Sequence, residues 1–372
     1  MIDTAAVLKS WWQGIERAPS NVVRGHAIDP SRVSPTLGAT TLVPEKHYFI
    51  VTINEMFLAL KKEWFDTYDP MAIVVTEFSY GGKRIEVPFV VGPSMLEGKL
   101  KTVPEGMCLT DTKVAGITPY AGSSFDLTVV LARVKRGSLA KDLLGFAETV
   151  AGAFPAGVAM QPHLKVAGVV LESVQRLFGM ADDVQPLAGH RWGYNPGVTP
   201  WLKPGFFALI GQDEQKIDLD ALRVKDGRLL RDDAGGSRPY RENDFLLYSL
   251  TALETRSDVV DLPFYGLFRT ALSQAASTDE GAWLRAAAGL TALHQQMVQS
   301  PDLLLDQVDT LIREYHTELH RVWKRGQDLT LMGETPAEAS LHVPKELAAL
   351  PDAARRAEAL RTSQNFLKTE IE

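Results

Sequence analysis

Met71-Ala-Ile-Val-Val-Thr-Glu-Phe78, then Gly81-Gly82, then Arg84-Ile-Glu-Val-Pro-Phe-Val-Val91 is the stretch on which the fold turns. Two runs of β-formers joined by two glycines make a hairpin, because both central residues of the favoured two-residue turn need positive φ. Working outward, Tyr48–Ile53 and Leu127–Val134 are further strands on either side. Between the first of these and the hairpin, Glu55–Trp64 fits helix or strand equally. The β character returns at Gly205–Ile210 and at Asp244–Leu253. In between, Leu222-Arg-Val-Lys-Asp226-Gly227-Arg-Leu-Leu230 predicts a second hairpin, with Asp-Gly as its turn. Asp218, Asp220 and Asp226-Gly227 mimic a calcium loop, but the glycine and the closing carboxylate are misplaced for one.

At Gly137-Ser138 the period of the apolar residues changes. Ser138 can cap a helix carrying Leu139, Leu143, Ala147, Val150 and Phe154, at spacings of three and four. A Pro-Gly break at 155–157 precedes a second helix with Leu164, Ala167, Leu171, Val174 and Phe178 on one stripe. Residues 138–180 therefore predict an αα-hairpin set between β-rich stretches. After Pro263 the chain turns helical. Ser277-Thr-Asp-Glu280 resembles a capping box, and Ser300-Pro301 predicts a helix over 301–325, closed by Gly326. Its stripe is Leu304, Val308, Leu311, Tyr315, Leu319 and Val322.

The expected fold class is thus α+β: an antiparallel β-sandwich-like sheet with an inserted αα-hairpin and a C-terminal helical region. The expected organisation is an N-terminal helix (about 3–14) and extended arm over 1–45, and a β-rich body over 46–261. A helical region over 262–330 and a loosely held charged tail over 331–372 follow, the tail with a possible helix at Leu347–Leu367. Strands interrupted by a helical insertion rejoin one sheet, because an isolated hairpin is marginal in water.

The 372 residues are 45% hydrophobic and 23% charged, the composition of an ordinary globular chain. A net charge of −7 argues against direct nucleic-acid binding, which rests on many basic phosphate contacts. Cys108 is the single cysteine, so no internal disulfide or cysteine-built zinc site forms, which fits a reducing cytoplasm. The N-terminus lacks the basic start and unbroken apolar run of a signal peptide. Leu143–Leu164 holds Glu148 as its only formal charge, but glycines and prolines interrupt it, and no stable membrane span is expected.

Phosphate-loop, dinucleotide, nucleophile-elbow, zincin and CxxC motifs are absent, and no cofactor is expected. His316 and His320 lie one helical turn apart, yet opposite the apolar stripe, so a solvated polar face is preferred to a metal site. The candidate anion site is Arg133, Lys135, Arg136 and Ser138, where a strand ends in cations and enters a helix with free N–H groups. The alternative there is a basic strand end paired with acidic neighbours. A candidate recognition loop spans 186–197, with His190, Arg191, Trp192 and Tyr194. Its alternative is a rigid connector plugging a core edge. Arg256-Ser-Asp258-Val-Val-Asp261 reads as a charge-paired turn leading into helix.

Val114–Tyr120, Asp126–Leu131, the small-residue hairpin, Pro204–Leu209 and Asp244–Ser249 together resemble uncharacterised accessory proteins of bacterial peptidase- or NTPase-linked conflict (defence) systems. That resemblance, over about 110–265, implies a partner-binding or regulatory component. The expected function is accordingly a non-enzymatic interaction or assembly protein of the cytoplasm, binding another protein or itself. The alternatives are a hydrolase with a site near His190 and a membrane-active effector acting through the 143–178 hairpin.

Overall fold

A computed structural model describes residues 25–331, apart from 39–40, 60–61, 64–65, 93–106, 153–159, 181, 195–202 and 212–216. The helix expected at 3–14, the break at 155–157 and the tail from 332 onward lie outside the described residues. The protein is α+β, with mainly antiparallel sheets in a sandwich-like arrangement.

In chain order the strands begin with β1 (His26–Ala27), β2 (Val33–Ser34), β3 (Tyr48–Phe57) and β4 (Lys62–Glu63). The long hairpin is β5 (Asp66–Tyr80) and β6 (Lys83–Val91), followed by β7 (Met107–Pro119) and β8 (Phe125–Lys135). Helices α1 (Leu139–Gly152) and α2 (Met160–Gly179) then intervene. The β part closes with β9 (Val184–Tyr194), β10 (Gly205–Ile210), β11 (Leu222–Lys225), β12 (Arg228–Asp233), β13 (Gly236–Pro239) and β14 (Phe245–Leu253). Three helices end the described chain: α3 (Tyr265–Ala275), α4 (Ala282–Val298) and α5 (Leu305–Leu331). The ambiguous stretch after Glu55 continues β3 and then forms β4.

Two compact units divide the molecule. One holds the residues up to Tyr265 together with Met297–Val308; the other holds Gly266–Gln296 and the residues from Asp309 on. The helical region is therefore not contiguous in sequence, since the α4–α5 link belongs with the strands.

In the first unit, one sheet runs β1-β10-β14-β3-β7 and a second runs β4-β5-β8-β9 with β6 paired to β5. Gly81 (φ 57) and Gly82 (φ 75) make the two-residue turn between β5 and β6. The two sheets meet through aromatic rings: Phe49 of β3 stacks on Phe125 at 5.1 Å and meets Phe78 edge-on at 5.6 Å. On the other face of the second sheet, Ile73, Val130 and Ala132 join the same core as Ala140, Leu144 and Ala147 of α1 and Val170 and Val174 of α2. The central strand β5 is thus buried without a break from Tyr68 to Phe78. Burial on both faces explains why Met71–Val75 reads as a continuous apolar run rather than an alternating one.

A third, smaller sheet, β13-β12-β11-β2, packs Leu222, Val224 and Leu229 against Phe206, Ala208, Phe245 and Leu247 on the outer face of the first. Asp226 (φ 51) and Gly227 (φ 71) supply the expected hairpin turn. A bulge at Asn54 fixes how this layer attaches. The β3–β14 register passes from Ile53↔Tyr248 to Glu55↔Leu247, leaving Asn54 as the extra residue. One extra residue exchanges the faces of everything beyond it. Ile53 and Met56 point into the main core, whereas Phe57 joins the outer cluster. Glu55 turns outward as well, fully buried, where it accepts from the Leu229 N–H (2.9 Å) and pairs with Arg241 (3.0 Å).

In the second unit, Phe268 of α3 stacks on Tyr315 of α5 at 3.9 Å. Two expected helix signals are corrected here. Helix α4 is capped by Asp279 rather than Ser277: the Asp279 carboxylate accepts from Gly281 N–H (3.0 Å), and Ser277 donates to it (2.6 Å). Arg285 beside it, together with Ser277, holds that carboxyl down at about 2. Helix α5 begins at Leu305 and continues through Gly326 to Leu331. Gly326 is buried in mid-helix, where an added Cβ would make an ordinary 3.5 Å contact with the Ala276 carbonyl oxygen, so neither space nor backbone demands a glycine there.

Candidate functional site

The α4–α5 link is inserted among the strand ends of the first unit. Asp302, 5% exposed, accepts from the Tyr80 hydroxyl (3.0 Å) and from the Met160 N–H at the start of α2 (3.1 Å). Its own carbonyl accepts from Arg256 (2.6 Å). The next anchor is Leu304, whose N–H donates to the Tyr48 hydroxyl (2.8 Å) and whose side chain packs with Tyr48, Ile50 and Ile117. Gln307 then brackets Arg256, accepting from its N–H (3.2 Å) and donating to its carbonyl (3.0 Å). Arg256 is itself buried and forks onto Asp258 at 2.6 and 2.9 Å, the charge-paired turn expected from sequence.

Burial pushes the Tyr48 phenol up to about 12. Burial, reinforced by the Asp302 charge, pushes Tyr80 up as well. Both phenols therefore stay protonated near neutral pH, Tyr80 donating to Asp302 and Tyr48 accepting from the Leu304 N–H. His163 of α2 is buried too, and its pKa is lowered by that burial, with the Asp302 charge opposing. The arrangement is a closed hydrogen-bond network. Within it Tyr80, Arg256, the Gln307 amide and the Met160 and Leu304 N–H groups each donate to an acceptor in the chain, as buried polar groups require.

Beside this network opens a cleft of about 500 Å³. One wall is Pro44, Glu45 and Lys46; a second is the β5–β6 turn at Ser79–Gly81, with Pro119 and Ala121 near it. The remaining wall is Pro301 with Leu303–Asp306. Leu303 and Leu304 are buried, but Leu305 emerges 62% exposed. A volume in this range suits a ligand or a short peptide segment.

The sequence-derived candidates lie elsewhere. Ser138 caps α1 as expected, donating to the Lys135 carbonyl (2.8 Å) and accepting from Lys141 N–H (3.3 Å). The cations before it are engaged by this chain: Lys135 by Asp66 (2.8 Å), Arg136 by Asp69 (2.6 Å), and Arg133 by the Gln185 amide (2.6 and 2.9 Å). Asp69, its side chain 6% exposed, also takes Lys141 (3.2 Å), so a carboxylate of the protein occupies the position beside the helix start.

The expected recognition loop is corrected more fully. Residues up to Tyr194 form strand β9, paired along β8 from Val184↔Val134 to Tyr194↔Phe125. Alternation sends its residues to opposite faces. His190 and Trp192 share one face, with rings 4.2 Å apart; Trp192 donates to the buried Tyr248 hydroxyl (2.5 Å) and packs on Phe207. Arg191 faces the other way and joins Arg84, Glu77 and Asp126: it lies 3.2 Å from Glu77 and 3.7 Å from Asp126, and Arg84 pairs with both acids. A site built from His190, Arg191 and Trp192 as one loop is not present.

His316 and His320 are exposed on α5, and both meet Trp283 edge-on at 5.8 and 5.6 Å. Among the described residues no group of three or more His, Cys, Asp or Glu side chains is placed to hold a metal ion. No described helix is long and apolar enough to cross a membrane.

Sequence reasoning missed the inserted link. One signal was present: Leu303-Leu304-Leu305 places three leucines in a row, which a single helical stripe cannot bury together. No family model, curated protein or solved structure matches the chain.

Proposed function

We propose that the protein is a non-enzymatic interaction component that seats a segment of another polypeptide in the cleft beside the α4–α5 link. The observation that carries this reading is the contrast between the cleft walls and the groups beside them. The walls include Pro44, Pro119 and Pro301 and the three leucines 303–305, with Leu305 left exposed. Beside these, Tyr80 (itself in the lining) and Tyr48, Arg256 and Asp302 are committed to one another, to Asp258 or to backbone groups. An apolar centre with a polar rim is the anatomy of a recognition surface. The resemblance over 110–265 supports the same reading and extends it to a regulatory part in a cytoplasmic bacterial defence assembly.

Selection of a random peptide library on the full-length protein tests this. Enriched peptides are expected to lose about tenfold or more in affinity for Leu305→Asp, a loss of at least about 1.4 kcal/mol. They should bind Arg84→Ala, outside the cleft, as they bind the parent. A selection yielding no peptide sensitive to Leu305 overturns the proposal.

A further inference from the structure

The second unit carries an open face of its own on α5. His316, His320 and Trp323 recur at spacings of four and three, so they share one side of the helix. Trp283 of α4 lies against all three, 5.8, 5.6 and 5.4 Å from their rings. Both histidines are exposed, and both tryptophans keep part of their surface in solvent.

Lys324, one turn on from His320, extends this face and is exposed. Arg321 beside it is taken by Glu318 (2.9 Å), but among the described residues Lys324 meets no carboxylate. It stands about two turns before the end of α5, too far in to be matched by the helix dipole, which acts within the last turn. The face therefore offers an aromatic surface and one uncompensated cation.

The chain that follows α5 has the complementary chemistry. Between Leu331 and Lys345 its only formal charges are Glu334 and Glu338, and Leu341 and Val343 come next. Gly333 and Pro336 are helix-ending residues, the first suited to a left-handed cap and the second lacking an N–H. A chain reversing at Gly333 and running back extended gains about 3.3 Å per residue, which puts Glu338 about 17 Å and Leu341 about 26 Å from the turn. Along the helix, at about 1.5 Å per residue, Lys324 lies about 14 Å and His316 about 26 Å from the same point. The acid thus comes level with the cation, and the leucine with the rings.

We infer that this face of α5 is the docking site of the chain's own segment 334–343, with Glu338 on Lys324 and Leu341 against Trp283 and His316. The short tether supplies an effective concentration on the order of millimolar, so two modest contacts suffice. The face lies apart from the cleft, and an empty peptide selection there leaves it untouched.

Zero-length carbodiimide cross-linking of the full-length protein, read by peptide mass spectrometry, tests this. A Lys324–Glu338 link is expected, with the Lys135–Asp66 pair (2.8 Å) as internal standard. Leu341→Asp should lower the yield of that link about fivefold or more, and raised salt should lower it as well. An equal mixture of unlabelled and nitrogen-15-labelled protein should give links of unmixed isotope only. Thermal unfolding of the variant serves as the folding control. Absence of the link beside an intact Lys135–Asp66 standard overturns the docking. So does a yield indifferent to Leu341→Asp, which marks tethered proximity alone, and so do mixed-isotope links, which give the face to a second copy.

Discussion

Strand β5 carries two charged clusters a few residues apart, and they are built on opposite principles. At Glu77, Arg84 and Arg191 are 45% and 42% exposed and share two carboxylates across neighbouring strands. At Tyr80, the hydroxyl reaches a carboxylate that is buried, from a segment that also binds a fully buried guanidinium. The first cluster solvates the part of the sheet's outer face where charged side chains replace the apolar ones that meet α1 and α2. The second holds distant parts of the chain together. Ion pairs of similar distance thus differ in consequence, because burial sets the cost of breaking them.

Breaking the buried cluster at its centre should have the largest effect. Arg256→Ala strands Asp258 and the Asp302 carbonyl, and is expected to cost about 3–5 kcal/mol in urea unfolding. Tyr80→Phe removes a single donor and leaves Asp302 bonded to Met160 N–H, so about 1–3 kcal/mol is expected. Equality of these two losses would show that the network does not centre on Arg256.

Glu55 tests whether burial governs a third site. Its pKa is raised, chiefly by burial and against the pull of Leu229 N–H and Arg241, above the ordinary 4.5. The native state then keeps the proton longer than the unfolded chain does. The stability linked to this group is full below about pH 4.5 and declines as pH rises toward the native pKa. Urea midpoints across that window should fall with rising pH for the parent, and the fall should be shallower in Glu55→Gln. The smallest effect belongs to the exposed cluster: Arg84→Ala should cost under about 1 kcal/mol and be sensitive to salt. A larger, salt-independent loss would erase the distinction between the two clusters.

Local chemistry made much of the architecture legible. Gly81-Gly82 and Asp226-Gly227 have the positive φ that their turns require. Helices α1 and α2 form where the periodicity changes, but their buried faces are turned from the expected stripes: Leu139 is exposed and Leu143 and Val150 only partly buried, while Ala140, Leu144 and Ala147 of α1 and Val170, Val174 and Leu177 of α2 enter the core. Strand β9 was hidden because Pro186, Gly189 and Gly193 carry the composition of a loop; an edge strand tolerates them where a central one would not. The limits of α5 misled for a related reason. Gly326 looks like a stop but lies inside the helix, and Ser300-Pro301 looks like a start but opens an inserted turn. The charge-paired turn at Arg256–Asp258 was readable from two residues one position apart on either side of Ser257. The cleft beside it was not, since Tyr80 meets Asp302 and Tyr48 meets Leu304 only through the tertiary fold.

The inserted link has a consequence for how the protein can be made and dissected. The Tyr80–Asp302 and Tyr48–Leu304 bonds span 222 and 256 residues of chain. On the ribosome, the first unit stays incomplete until the turn after α4 has emerged, long after its last strand has been synthesised. Such long loop closures slow folding. A fragment cut at Tyr265 therefore carries every described strand yet lacks its own keystone, and the natural point of division lies in space rather than along the gene.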